Sequence, residues 1–355
     1  MDRTAWVLSE TEMRAWLQGL VGGGQTVAAP VVEDGLTVFR PIADAERAVI
    51  SPRGKTRWSP KEFLFPRSEA LYAYSLKGDA VVIEDPPGPE RPLVLFGVRS
   101  CDAAGLARLD EIFLGGPIDP LYAARREATT VVTTACAAAD PECFCTAVGG
   151  SPVGEEGADL QLVPVDDGWV LTVVTDKGAA LVGDAGEAWA AAPAGSGDRA
   201  AALEREVAEQ IARKEIPQEW SKLLEGGFAS PAWEQLAEHC LGCSICAYVC
   251  PSCSCFDMNH DANAWCGEQC RSWDACTFGL FTLHASGHNP RSTRGERYRQ
   301  RVLHKFSFTG EEGEDHFRCV GCGRCAALCP AGLDISEIVT AAATAIQEEG
   351  ADAAR

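Results

Sequence analysis

The chain has 355 residues, 46% of them hydrophobic and 23% charged, enough for two domains that each bury a core. A formal charge of −20 argues against nucleic acid and anionic membrane surfaces as partners, and no apolar run approaches the roughly 20 residues of a membrane span. The 17 cysteines sit in short clusters within a long chain whose start lacks a signal-peptide apolar segment, so metal ligands in a reducing, cytoplasmic compartment are expected instead of a disulfide scaffold.

In chain order, Ser9 and Glu12 form a capping-box pattern ahead of Met13, Trp16, Leu17 and Leu20 at helical spacing. A hairpin is predicted around Asp34–Gly35, and Ala80–Glu84 reads as a further short strand. Pro92–Val98 is a continuous apolar run, as expected of a strand buried on both faces. Helical periodicity begins at Cys101, so Arg99 to Asp102 fall at a strand-to-helix turn. Thr129–Cys136 repeats the buried-strand pattern, and Leu160–Val165 with Trp169–Thr175 predict a second hairpin turning at Asp167–Gly168. Residues 192–198 have linker composition. An amphipathic helix follows from about Ala200 to Leu224, with Leu203, Val207 and Ile211 on one stripe and Pro217 as the point where it kinks or splits.

Two stretches then carry the chemistry. Cys240–Pro251 and Cys319–Pro330 both read C-x2-C-x2-C-x3-C-P, the run by which bacterial-type ferredoxins hold [4Fe–4S] clusters. In that arrangement three thiolates of one run and the fourth of the other share a cluster. Cluster I is therefore assigned to Cys240, Cys243, Cys246 and Cys329, and cluster II to Cys319, Cys322, Cys325 and Cys250. Zinc sites usually space cysteines in pairs, not in a doubled run of four ending in proline.

The expected architecture is α+β: a mixed α/β domain over 1–192, a linker and connecting helix over 193–227, and a mainly helical, ferredoxin-like dicluster domain over 228–355 with an insertion at 252–318. The first domain holds only four cysteines, Cys101, Cys136, Cys143 and Cys145. All four fall in loops or at strand ends, where open α/β sheets collect ligands, which suggests a third [4Fe–4S] cluster. The other reading is four small buried hydrophobes, since C-x-C is a weakly diagnostic spacing. Cys253, Cys255, Cys266, Cys270 and Cys276, a C-x-C followed by a C-x3-C, offer ligands for another metal, but are read first as packing residues or incidental neighbours of the two clusters. The basic run Arg291, Arg294, Arg297, Arg299, Arg301 and Lys305 either compensates anionic clusters, docks an acidic partner or forms a solvated helix face. No dinucleotide fingerprint is present, and Gly54–Lys55–Thr56 lacks the upstream glycine of a P-loop.

Several further segments make the chain resemble the iron–sulfur β subunits of cytoplasmic sulfhydrogenases and the related A subunits of anaerobic sulfite reductases. They include Pro60–Tyr72, Gly97–Phe113, Asp119–Arg126, Cys143–Pro152, Cys250–Asp257, Arg271–Phe278, His288–Arg291 and His304–Phe308, in order and nearly end to end. The resemblance implies an electron-transfer subunit of a hetero-oligomer. It would relay electrons between a flavin NAD(P)H- or ferredoxin-linked partner and a catalytic hydrogenase, sulfite reductase or heterodisulfide-reductase-like subunit. The alternative is a catalytic reductase of a sulfur compound near Cys101, with Arg99 holding an anion and Asp102 giving a proton. Its bland counterpart is a structural turn with Asp102 as the helix N-cap.

Overall fold

The computed structural model describes residues 4–193, 195–213, 215–308 and 316–353. In chain order its first elements are β1 (Ala5–Leu8), α1 (Glu10–Gly22), β2 (Thr26–Glu33), β3 (Leu36–Pro41), β4 (Ser68–Lys77), β5 (Ala80–Glu84) and β6 (Leu93–Arg99). Then come α2 (Ser100–Leu114), α3 (Pro120–Glu127), β7 (Thr129–Thr134), β8 (Leu160–Val165), β9 (Gly168–Val173), α4 (Asp176–Val182), β10 (Ala190–Ala191) and α5 (Ser196–Ala208). The remainder is α6 (Trp220–Gly226), α7 (Ala232–Leu236), α8 (Ile245–Tyr248), β11 (Phe256–Ala262), β12 (Cys266–Trp273), α9 (Arg294–Phe306), α10 (Arg324–Ala327) and α11 (Ile335–Ala353).

These elements form two compact units, each assembled from separated segments. The first comprises Met1–Lys61, Pro89–Lys214 and Val320–Gly323; the second comprises Glu62–Gly88, Glu215–Cys319 and Arg324–Arg355. The first unit is built on an eight-stranded sheet of order β10-β1-β9-β8-β7-β6-β2-β3. Its four middle strands β8, β7, β6 and β2 run parallel to one another, and the outer pairings are antiparallel. Leu95, Phe96 and Val98 of β6 are fully buried, as a strand with neighbours on both sides requires. The capping box at Ser9 and Glu12 forms with both reciprocal hydrogen bonds and starts α1, whose Met13, Trp16, Leu17 and Leu20 enter the core beside Phe96. Asp34 and Gly35 both take positive φ, +49° and +75°, the geometry of a tight hairpin turn between β2 and β3.

β6 contains an irregularity of register at Gly97, whose φ is +78° and whose missing Cβ would press on Pro30. Such a bulge re-aims the residues after it, here Arg99 at the carboxyl end of the strand. The helix predicted over 200–224 is divided: α5 ends at Ala208 and α6 begins at Trp220, on either side of a stretch containing Pro217.

The second unit mixes classes, and a mainly helical domain is not what it is. Helices α6, α7, α9 and α11 share it with a four-stranded antiparallel sheet of order β11-β12-β4-β5. β11 and β12 come from the insertion after the first cysteine run, and they pair with strands from residues 62–88. Arg271 of β12 and Glu69 of β4 form a buried ion pair at 2.7 Å, with the guanidinium also set over the rings of Phe65 and Phe256. Among the described residues, no helix is long and apolar enough to cross a membrane.

Candidate metal centre

The first cysteine run begins as loop and enters α8, so Cys240 and Cys243 lie on the loop and Cys246 on the helix. Gly242 and Ser244 have φ of +66° and +61°, which fold the loop back on itself; Ser244 is held there by a buried hydrogen bond to Thr277 at 2.7 Å. The backbone N–H of Gly242 reaches the Cys240 sulfur. Cys240, Cys243, Cys246 and Cys329, the set assigned to cluster I, line one cavity together with Cys325, Tyr298 and Arg301. Among the described residues, no Asp or Glu lines it. Burial, and then the neighbouring thiols, push the Cys240 thiol up; burial likewise raises Cys246 against the opposing pull of Arg301.

Beyond this cavity the basic run separates into two groups. A capping box of Thr293 and Glu296 starts α9, and one turn apart on its buried face stand Arg301 and Lys305, only 2% and 3% exposed. Arg301 donates to the Cys253 sulfur at 2.8 Å and to the Cys246 carbonyl at 2.8 Å. Lys305 donates to the Ser252 carbonyl at 2.9 Å and to its hydroxyl at 3.0 Å, and that hydroxyl lies 3.4 Å from the Cys250 sulfur. Burial alone would lower Lys305, but the thiols of Cys250 and Cys253 outweigh it and leave the ammonium above its ordinary range. Arg294, by contrast, is exposed, and Arg299 stacks on Phe228 at 3.6 Å.

Cys253, Cys255 and Cys276, read from sequence as packing or incidental neighbours, meet in the same interior. Cys250 and Cys253 are hydrogen-bonded through their sulfurs, as are Cys255 and Cys276. The Cys276 contact, with Lys305 nearby, brings Cys255 down to about 6 despite burial. Cys266 and Cys270 lie apart from this group on β12, where Cys266 is exposed.

In the second run, the Cys319 amide donates to the Lys305 carbonyl at 3.2 Å, and Cys325 is carried on α10. Cys322 lies in the segment Val320–Gly323, which packs within the first unit. There the Phe144 amide donates to the Gly321 carbonyl at 2.9 Å. Gly321 has φ of +61°, and a Cβ on it would stand 2.5 Å from the Cys145 backbone. Only glycine allows this approach.

Three of the four N-terminal cysteines gather at the carboxyl end of the parallel strands. Cys136 follows β7, and Cys143 and Cys145 come from the loop after it; burial raises the Cys136 thiol, with Arg99 opposing and Cys143 adding to the rise. Burial first, then Cys136 and Cys143, push Cys145 up to about 12. Lys55 reaches into the group, 3.3 Å from the Cys143 sulfur and paired with Asp140 at 2.8 Å, and Cys322 is a further neighbour. Cys101 stands half-buried in the first turn of α2.

Arg99 does not do what the reductase alternative asked of it. Its guanidinium donates to the carbonyls of Gly54 at 2.8 Å, Ser51 at 2.6 Å and Ala135 at 3.5 Å, clamping the loop that carries Lys55. Asp102 is fully buried inside the first turn, while the cap position is Arg99 itself, without a side-chain cap. Lys55, Ser244, Ser252 and Gly321 were not singled out from sequence as site residues. Lys55 was visible only as part of an incomplete phosphate-loop string.

The donor set suits iron–sulfur clusters. No disulfide joins any of the described cysteines, and the buried Arg301 donates to sulfur. Among the described residues, no three His, Cys, Asp or Glu side chains converge on a single metal ion. A cubane asks for something else: thiolates spread around a multi-atom group, as in the cavity of Cys240, Cys243, Cys246 and Cys329. Residues 239–333 match the family model for a 4Fe-4S dicluster domain. Sulfhydrogenase 2 subunit beta of Pyrococcus furiosus is 32% identical over 281 residues, covering 79% of this chain and 81% of that protein. With that extent of identity joined to the dicluster domain, the chain belongs to the sulfhydrogenase β-subunit family of iron–sulfur electron-transfer proteins.

Proposed function

We propose that this chain is a non-catalytic electron-transfer subunit of a cytoplasmic oxidoreductase complex. It relays electrons between a flavin NAD(P)H- or ferredoxin-linked partner and a catalytic subunit of the hydrogenase, sulfite reductase or heterodisulfide-reductase-like class. Cys240, Cys243, Cys246 and Cys329 hold one [4Fe–4S] cluster, and Cys319, Cys322, Cys325 and Cys250 hold the other. A third [4Fe–4S] cluster takes Cys136, Cys143 and Cys145, with Cys101 as fourth ligand, in the domain over 1–192; the dicluster domain spans 228–355, after the linker 193–227. Bound clusters supply one-electron storage at potentials the protein tunes.

The observation that carries this reading is that the four cluster I cysteines line one cavity, with no acidic side chain among the described residues that line it. The chain's own part is to surrender thiol protons to iron, since thiols raised by burial bind metal only as thiolates. It also encloses the sites in apolar and cationic surroundings. The use of Arg99 as a loop clamp weighs against catalysis near Cys101.

The test is anaerobic stopped-flow mixing of the reduced chain with the flavoprotein and the catalytic subunit that co-purify with it. Reoxidation of the chain by one partner and its reduction by the other are expected. Turnover of sulfite, polysulfide or a disulfide by the isolated chain with an artificial donor would overturn the relay.

A further inference from the structure

We propose that Arg301 and Lys305 form a buried two-cation element that sets the reduction potentials of the paired clusters unequally, making cluster II the more easily reduced. This rests on the ligand assignment proposed above.

Two cations one helical turn apart, each almost wholly buried, are costly. The effective penalty of burying an ion is several kcal/mol unless an anion answers it. Among the described residues, none of their hydrogen bonds goes to a carboxylate: the acceptors are the Cys253 sulfur, the Cys246 and Ser252 carbonyls and the Ser252 hydroxyl. Arg301 Nε is buried with no hydrogen-bond partner among the described residues. A fold that retains this pair must receive negative charge from another source. Four thiolates on a cluster supply it, and reduction adds one more negative charge.

The cations are distributed unevenly over the two ligand sets. Arg301 donates to the carbonyl of Cys246, a cluster I ligand, and lines the same cavity as Cys325 of cluster II. Lys305 reaches Cys250 of cluster II through Ser252, and its carbonyl accepts from the amide of Cys319, also of cluster II. Lys305 also acts along a chain of hydrogen bonds: its ammonium donates to the Ser252 hydroxyl, which leaves that hydroxyl's proton free to donate to the Cys250 sulfur. Hydrogen bonds and positive charge at a ligand sulfur favour the reduced cluster. Cluster II receives both cations and the hydroxyl, whereas cluster I receives one cation. The electron therefore rests preferentially on cluster II, which polarises the relay.

The experiment is a redox titration of the native complex followed by electron paramagnetic resonance, with iron counted on every sample. Lys305→Met is expected to lower the reduced-to-oxidised ratio of one cluster at least tenfold at fixed potential, a shift of 59 mV for a one-electron couple, and to leave the other in place. Lys305→Arg keeps the charge and should stay near the native value. Arg301→Met should lower both clusters. If the methionine variants lose iron, Ser252→Ala decides, because it removes only the hydroxyl between Lys305 and Cys250; it should lower the same cluster by a smaller factor. Unmoved potentials at full iron content in Lys305→Met or, where that variant loses iron, in Ser252→Ala would overturn the inference and leave the relay intact. Absence of clusters from the native protein would instead sink the relay reading.

Discussion

Replacing Gly321 by alanine is the sharpest structural test of how the second cysteine run is held. The residue sits at φ +61°, which costs an L-residue about 1–2 kcal/mol. The new methyl would also stand 2.5 Å from the Cys145 backbone, so the two segments must part. Parting breaks the Phe144 N–H bond to the Gly321 carbonyl at a fully buried residue, and an unsatisfied buried amide costs about 1–3 kcal/mol. A local opening penalty of about 3 kcal/mol corresponds to roughly 150-fold faster hydrogen exchange at the Phe144 amide. The assay is amide exchange on anaerobic, cluster-loaded protein, with Gly332→Ala as comparison. Gly332 has a similar φ of +68° but no atom within 4 Å of its would-be Cβ, so only the backbone cost applies and Phe144 should stay protected. If Gly321→Ala leaves Phe144 as protected as the native chain does, the close approach does not hold the run in place.

The double replacement Cys143→Ser/Cys145→Ser should reduce iron from about twelve to about eight per chain and leave the dicluster resonances intact; an unchanged count would remove the N-terminal site. Arg271→Met strands Glu69, 6% exposed, and should destabilise the second unit by about 3–5 kcal/mol in anaerobic urea unfolding, while the further change Glu69→Leu should recover most of that loss. Additive effects of the two changes would contradict the pairing. His304 is held near pKa 4 by burial, then by Lys305 and Arg291, against an ordinary 6.5. The unfolded chain thus binds more protons, so this contribution is complete above pH 6.5 and declines as pH falls toward 4, by at most about 1.4 kcal/mol per pH unit. Stability measured between pH 7 and 5.5 should fall more steeply in the native chain than in His304→Gln, and equal slopes would refute it.

What could be read from the sequence was local. The Ser9–Glu12 box, the Asp34–Gly35 turn and the apolar run of β6 carry their structure within a dozen residues, and each formed as expected. The doubled cysteine run was legible as a dicluster motif because its spacing is itself the chemistry, and residues 239–333 match that domain. The sheet of the second unit was not, because β4 and β12 lie far apart in the chain and their joining leaves no local trace. The roles of Arg301 and Lys305 were hidden for a related reason. Six basic residues in one run fit cluster compensation, partner docking or a solvated face alike, and only the packing of α9 decides that these two turn inward toward sulfur. Arg99 misled in the opposite direction: a cation at a strand end suggested anion binding, yet carbonyls from a loop distant in sequence take its donors.

The claim on which the rest depends is that eight ferredoxin-type cysteines hold paired cubane clusters. Iron and acid-labile sulfide counted per chain, on native protein purified without oxygen, test it most directly. About eight of each are predicted from the two runs, and about twelve if the N-terminal thiols are also loaded. One or two metal ions per chain with no labile sulfide, zinc above all, would contradict it.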